Sequence, residues 1–497
     1  MVSDDFTNCS AAFLQWFRHL PGATFHSSLA IQDLRSRHAG RGIVATADIE
    51  GDVELFRIPR GRILTTENSS LVAQWPNFFS DILDERVPKL VPANNGNGSN
   101  DSDINGAEGA DSDIEDEDFL DHWLSLIVTM IYEYQLGGRS PWSSYLSVLP
   151  TSFDTPMFWS DSQLSELQAS DLRGRIGRES ADRMFRNKLV PLLRSKSEIF
   201  FAEGQPQLRD DEVVSLAHRL GSTIMAYAFD LQQDDNEEGN EDDEWVEDRE
   251  GQMLGMVPMA DMLNADAEFN AHLNHEDDAL IMTSLRPIRA GDEVLNYYGP
   301  LPNSDLLRRY GYVSYKHDVH NVVELPWRFV HEAVKAHHGL SDEDLQRALA
   351  KIDEDELEDS FVVEYSSISP DPTGLLPTVG MTVTELPETF TIQLKALLKY
   401  LRKTKPGFET HELDFWTIAD TVLQRRIAQY PTSIQDDEQL FASIRRLDAA
   451  SEDLLRKQMA IMVRLGEKKL LANAKTFVEA NLAGLPSEPP RKRVRTS

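Results

Sequence analysis

The hydrophobic pattern of this chain changes period near residue 327, and that change limits the folds open to it. Before that point, apolar residues come in short runs closed by turn residues. Residues 42–49 and 53–58 read as strands around the turn Glu50-Gly51-Asp52, with Pro59 ending the second. Residues 279–285 and 293–298 read as two more, joined by Arg289-Ala290-Gly291-Asp292. Helical stretches interrupt them: Phe119, Trp123, Leu126, Ile127, Met130, Ile131 and Tyr134 share one helical face, and 213–229 is a second helix. After residue 327, segments 327–338, 341–352, 390–401 and 410–428 all carry helical spacing. A long segment, 437–480, follows with Leu440, Ile444, Leu447, Leu454, Met459, Met462 and Leu465 set between charges. The pattern predicts an α+β lobe of short strands with an inserted helical segment, then an all-α lobe.

Length and charge narrow the function classes. A chain of 497 residues has room for about three domains at roughly 150 residues each. It carries 83 acidic and 49 basic residues, a formal charge of −34. Such a surface repels phosphates, so direct nucleic acid binding is not expected; it suits a basic, lysine-rich protein partner, or serves solubility alone. Cys9 is the sole cysteine, which leaves no intrachain disulfide and no multi-cysteine zinc site, and fits a reducing compartment. Met1-Val2-Ser3-Asp4-Asp5 does not read as a secretory signal. No apolar run approaches the ~20 residues that span a bilayer, so no membrane role is expected. Residues 94–118, rich in Asn, Gly, Ser, Asp and Glu, and the acidic run 234–250 are expected to be disordered surface insertions. The run Arg491-Lys492-Arg493-Val494-Arg495 resembles a nuclear localisation signal and predicts the nucleus, with the cytoplasm as a second location.

Three clusters stand out. Arg37-His38-Ala39-Gly40-Arg41-Gly42-Ile43 is a glycine-rich strand opening; alone it asks only for positive φ or close packing. It is not a dinucleotide fingerprint, because strand and turn follow it rather than a helix. The second is Met259-Ala260-Asp261-Met262-Leu263-Asn264-Ala265-Asp266, followed by Asn270 and His272. The third is Gly291-Asp292-Glu293-Val294-Leu295-Asn296-Tyr297-Tyr298-Gly299, then Ser304 to Val313 with Tyr310-Gly311-Tyr312. Each alone fits a hairpin or a helix with core aromatics.

Together and in this order the clusters resemble a SET-domain lysine methyltransferase. The motifs are Gly-Arg-Gly-Ile at 40–43, Asp-Met-Leu-Asn at 261–264, Gly-Asp-Glu-Val-Leu-Asn-Tyr-Tyr-Gly at 291–299 and Arg-Tyr-Gly-Tyr-Val at 309–313. The likeness is to the subgroup with a split SET domain and a C-terminal Rubisco-methyltransferase-type substrate-binding domain. Tyr145-Leu146-Ser147-Val148-Leu149-Pro150 and Phe153-Asp154-Thr155-Pro156-Met157-Phe158-Trp159 resemble that subgroup's inserted region.

The resemblance implies a layout. An N-terminal helix (1–24) precedes a split SET catalytic domain (25–300) with its helical insertion at about 120–230 and the two acidic insertions. An active-site segment (301–326), a helical substrate-binding domain (327–485) and a basic tail (486–497) follow. It also implies S-adenosylmethionine as cofactor. Arg41, Gly42 and Ile43 would pass their backbone beside it. Asn264 and Ala265 would hold its adenine and amino acid ends, with Asp261 supporting their loop. Tyr298 would border the cofactor and wall the lysine channel, Tyr310 would be the active-site tyrosine, and Tyr227 would lie near cofactor or channel. Many SET proteins carry His where this chain has Ala265, so a His side-chain contact would be lost and a backbone contact kept. The implied substrate is a protein, with a large-subunit ribosomal protein favoured. A non-ribosomal target modified on lysine or histidine, and a non-catalytic adaptor, stay open.

The chemistry suits these residue types. A sulfonium methyl is already activated, so positioning is the main task, and it can supply about 7–11 kcal/mol. An aromatic channel beside a sulfonium lowers the lysine pKa by desolvation and like charge, so no strong base is needed. No metal is expected. His272, His275, Asp277 and Asp278 read as surface residues, since zinc needs three or four closed ligands. A calcium loop starting at Asp234 would have its glycine at Gly239 but Trp245 where a Glu must close it. Trp142 and Trp159 read as core, with a place near the substrate entry as the alternative.

Overall fold

The computed structural model describes residues 2–37, 39–86, 122–202, 204–231, 253–352, 357–366, 368–377, 380–445 and 451–485. The segments 94–118 and 234–250 and the basic run 491–495 lie outside the described residues. Two units interleave along the chain. Unit 1 comprises Met1–Ser152, Glu179–Asn264 and His272–Val294; unit 2 comprises Phe153–Arg178, Ala265–Ala271 and Leu295–Ser497. Among the described residues no helix is long and apolar enough to cross a membrane.

Unit 1 is built on short antiparallel strands. Glu54–Pro59 lies between Thr24–Phe25 and Ala279–Ser284, with Ala271–His275 beyond the latter. Phe56 stands opposite Met282 and Ile58 opposite Leu280. Leu55, Phe56 and Ile58 are all fully buried, so this strand is covered on both faces. Leu29–Asp33 pairs with Arg41–Ala45 in a second sheet. That strand stops at Ala45, short of the 42–49 predicted, and Ile49 returns only as a single bridge to Ile288.

The helix His122–Leu136 runs through the unit's core, with Leu126, Ile127, Val128, Met130 and Ile131 all fully buried. Its Glu133 is buried too. The carboxylate accepts from the Ser70 amide at 2.6 Å, the Ser70 hydroxyl at 3.2 Å and the Ser140 hydroxyl at 2.6 Å, which meets the cost of enclosing it. Asp210–Tyr227 packs against this helix at Gly221, where an added Cβ would come within 2.6 Å of the Trp123 ring.

Unit 2 is mainly helical. Trp327–His338 has the predicted bounds; Asp342–Leu349, Glu388–Thr404 and Glu412–Ile427 follow, each within a few residues of expectation. Ile434–Ile444 and Glu452–Gly484 occupy the stretch read as one long helical segment. Among the helices sits one strand that periodicity did not single out, Ser360–Glu364, paired antiparallel with Val322–Pro326. Phe361 from that strand, Phe390, Leu394, Ile418, Val422 and Leu470 share one core.

The last helix brings ionic groups into unit 2. Asp437 is fully buried, and its two oxygens meet Arg464 at 2.8 Å and Lys468 at 2.5 Å. Arg464 also reaches Glu166 at 3.2 Å. Removing one partner of such a set leaves charge enclosed without its counter-ion. Asp437→Ala is therefore expected to destabilise unit 2 by about 3–5 kcal/mol in urea unfolding. A loss under ~1 kcal/mol would mean the network is solvated or redundant.

Candidate functional site

In unit 1 the glycine-rich strand, the Asp-Met-Leu-Asn loop and the Gly-Asp-Glu segment converge. The strand Arg41–Ala45 uses one edge to pair with Leu29–Asp33 and the other to receive residues 292–294. The Ala45 amide donates to the Asp292 carbonyl at 2.9 Å, and the Val294 amide donates to Ile43 at 2.8 Å. Glu293 is thereby set opposite Val44. The Asn264 amide nitrogen donates to the Arg41 carbonyl at 3.1 Å and to Glu293 Oε1 at 2.6 Å.

This leaves no room at Gly42. A Cβ there would sit 2.5 Å from Leu34, 2.6 Å from the Glu293 carboxylate and 3.1 Å from the Asn264 amide nitrogen. Gly42 is required by close approach. The Arg41 side chain is held elsewhere in the unit: Nε donates to Ser10, Nη1 donates to the Val148 carbonyl at 2.8 Å, and the guanidinium lies 3.7 Å from the Phe6 ring centre. What Arg41 offers at Asn264 is its backbone. Ile43 is buried in the core.

Asp261 and Tyr227 stand behind this cradle. The chain enters the short turn Ala260–Met262 through Met259, at φ +87°, a conformation L side chains seldom adopt. Asp261 is turned into the core, where the Tyr145 hydroxyl donates to its carboxylate. It thus supports the loop from inside. Burial pushes its pKa up to about 8, outweighing the Tyr145 hydrogen bond, and burial with the adjacent Asp261 likewise raises Tyr145. Tyr227, half-buried at the end of Asp210–Tyr227, lies close enough to oppose ionisation of Tyr145.

In unit 2 the tyrosines form their own group. Asn303–Tyr310 ends at Gly311 with φ +77°; a Cβ there would meet the backbone of Asp154 and Thr155 at 3.1 Å. The start of the helix is fixed by fully buried Asn303. Its side chain donates to Asp318 at 2.9 Å and accepts from the Ser314 amide at 2.8 Å. Tyr310 then stacks on Tyr298, with ring centres 4.3 Å apart and planes 15° from parallel. Tyr312 lies 6.3 Å from Tyr310, and its hydroxyl donates to the Ala265 carbonyl across a long 3.5 Å. Burial pushes Tyr310 up to about 12 and raises Tyr312 further, so both phenols stay protonated at neutral pH.

The expected residues therefore fall into two sets. Arg41, Gly42, Ile43, Asp261, Asn264 and Tyr227 belong to unit 1; Ala265, Tyr298 and Tyr310 belong to unit 2. Sequence reasoning assigned no role to Glu293, Tyr145 or Tyr312. Each lies inside a quoted motif, and Tyr312 is two residues from Tyr310, but no spacing rule announces which side chains meet. Trp142 and Trp159 are core. His272 is exposed and His275 half-buried on the edge strand. Among the described residues the group with metal-ligand composition is instead His337, His338 and Asp414, where His337 Nε2 and Asp414 share a 2.9 Å hydrogen bond.

The Asp261 carboxyl makes a pH test available. Its folded pKa near 8 lies above the ordinary 3.8. Its contribution to stability is full below the ordinary value and is lost as pH rises through the folded one. The melting temperature of Asp261→Asn should gain on the native protein as pH rises from about 5 to about 9. A difference independent of pH would show that the carboxyl is ionised in the fold.

Comparison with known proteins identifies the family. The SET domain family model matches residues 40–299, over half the chain, and the Rubisco LSMT substrate-binding model matches 356–471. Ribosomal lysine N-methyltransferase 4 of Saccharomyces cerevisiae is 30% identical over 355 residues, covering 70% of this chain and 64% of that protein. N-lysine methyltransferase setd6 of Salmo salar is 29% identical over 329 residues, covering 65% of this chain and 61% of that protein. The matched regions thus span less than two thirds of either relative. The solved SET domain of LSMT bound to lysine and AdoHcy superposes with a TM-score of 0.58 at 16% identity, covering 96% of this chain and 92% of that one. At that identity the likeness speaks for the fold. From the match over more than half its length, this chain belongs to the SET-domain family.

Proposed function

We propose that this protein is an S-adenosylmethionine-dependent protein-lysine N-methyltransferase. The observation that carries the reading is the near-parallel Tyr298–Tyr310 stack, with Tyr310 half-buried and its phenol held protonated. A flat aromatic wall suits the methylene stem of a lysine and excludes water from its amine. A protonated phenol is no base at neutral pH. Its oxygen accepts a hydrogen bond from the amine and orients the lone pair.

Unit 1 fits the cofactor. Both hydrogens of the Asn264 amide are used within the protein, which leaves its oxygen as an acceptor for an ammonium group. Gly42 lets backbone approach closely at the same place. When bound, S-adenosylmethionine supplies a methyl group already activated on sulfur. Asn264 and the backbone at Arg41 and Gly42 would hold it, and Ala265 would contribute backbone only. Tyr298, Tyr310 and Tyr312 would align the amine, so rate comes from position rather than from base strength.

The relatives are named as lysine methyltransferases, and among the solved structures of similar fold one is bound to AdoMet and another to lysine and AdoHcy. The yeast relative's name supports a ribosomal protein as substrate, and the −34 charge favours a basic one. The basic run 491–495 supports nuclear residence.

Tyr310→Phe keeps the ring stack and removes the hydroxyl. It is expected to cut kcat by about 10²-fold or more while the S-adenosylmethionine Kd, read by calorimetry, stays unchanged. Full activity in the variant would remove Tyr310 from the mechanism; loss of cofactor binding would make its role structural.

A further inference from the structure

Unit 2 carries a groove apart from the tyrosine group. It lies along Glu388–Thr404 and Glu412–Ile427 and encloses about 470 Å³. That volume falls within the range of ligand clefts. Lys395, Lys399 and Arg402 line one side, four and three residues apart on a single helical face. Leu398, Phe415 and Trp416 form the apolar part, and Lys395 Nζ lies 5.5 Å from the Phe415 ring centre. Ile392 and Leu413, on the same two helices, are large apolar residues exposed to solvent.

Two other cations of unit 2 are matched by carboxylates: Lys405 pairs with Asp344 and Arg425 with Glu332. Among the described residues no carboxylate lies within 4 Å of Lys395 or Lys399. Arg402 is braced by the Thr410 carbonyl at 3.1 Å, which fixes its direction without neutralising it. The groove also lies within the residues matched by the substrate-binding family model.

We propose that this groove docks an acidic polypeptide segment. Carboxylates of the segment pair with Lys395 and Lys399, and an apolar side chain between them packs on Phe415 and Trp416. Peptide is favoured over nucleic acid because Leu398, Phe415 and Trp416 offer an apolar floor to a side chain between the carboxylates, and the groove lies within the residues matched by the substrate-binding family model. Its role as a substrate handle rests on the methyltransferase reading above, and would give a target protein a second recognition element remote in sequence from its lysine. The binding itself does not rest on that reading.

The test uses the full chain and a fluorescein-labelled glutamate-rich peptide with a central phenylalanine, followed by anisotropy. The native protein should bind it, and the double variant Lys395→Glu, Lys399→Glu should bind about tenfold more weakly, the sum expected of two partly exposed ion pairs. A peptide with glutamine in place of glutamate should bind no better to the native protein than the original does to the variant. Equal affinity of native and variant for the acidic peptide, equal affinity of the two peptides, or displacement of the peptide by oligouridylate at lower concentration than by unlabelled peptide would each overturn the proposal. Thermal stabilisation by S-adenosylmethionine is read on both proteins and should be the same in each. Stabilisation of neither, with peptide binding intact, would sink the methyltransferase reading and leave the groove standing; loss of peptide binding with stabilisation intact would do the reverse.

Discussion

The Asn264 side chain holds together three segments that are far apart in sequence. Its amide nitrogen donates at once to the Arg41 carbonyl, 223 residues away, and to Glu293, 29 residues away. That double hydrogen bond works only because residue 42 has no side chain, since a Cβ would crowd Asn264 and collide with Glu293 and Leu34. Around it the backbone is fixed from both sides. The strand Arg41–Ala45 is paired along one edge and receives residues 292–294 along the other, while Arg41 is tethered through Ser10, Val148 and Phe6. The group left for a ligand is the Asn264 amide oxygen, presented by a residue that cannot turn without losing both bonds.

Protonation states give the two residue sets different characters. In unit 1 a carboxyl, Asp261, is buried deeply enough to favour its neutral form and is met by the Tyr145 hydroxyl. In unit 2 the half-buried phenols of Tyr310 and Tyr312 are held away from ionisation. None of these groups is a strong base at neutral pH. This agrees with a reaction in which geometry and desolvation, rather than proton abstraction by the protein, lower the barrier.

Helical periodicity was the most legible part of the sequence, because an amphipathic face repeats over many residues. Trp327–His338 has the expected bounds. Short strands were less legible. The stretch 293–298 read as one strand, yet only Leu295–Asn296 is strand, because Glu293 bridges to Val44 and the rings of Tyr297 and Tyr298 stack on Phe269 and Tyr310. Ser360–Glu364 escaped notice because its partner, Val322–Pro326, is distant in sequence and five residues carry little pattern of their own. The site's motifs were recognisable as motifs, but the contacts within them were not. Nothing in a linear pattern says that Glu293 meets Asn264 or that Tyr145 meets Asp261, since both pairings are made by tertiary packing.

The central claim is that these residues serve methyl transfer to a lysine. The most direct test is to incubate the protein with methyl-labelled S-adenosylmethionine and a lysate from cells lacking it, then locate the label by mass spectrometry. The account predicts label on the ε-amine of a lysine in a discrete protein. Label on histidine, or cofactor binding with no label transferred to any protein, would contradict it.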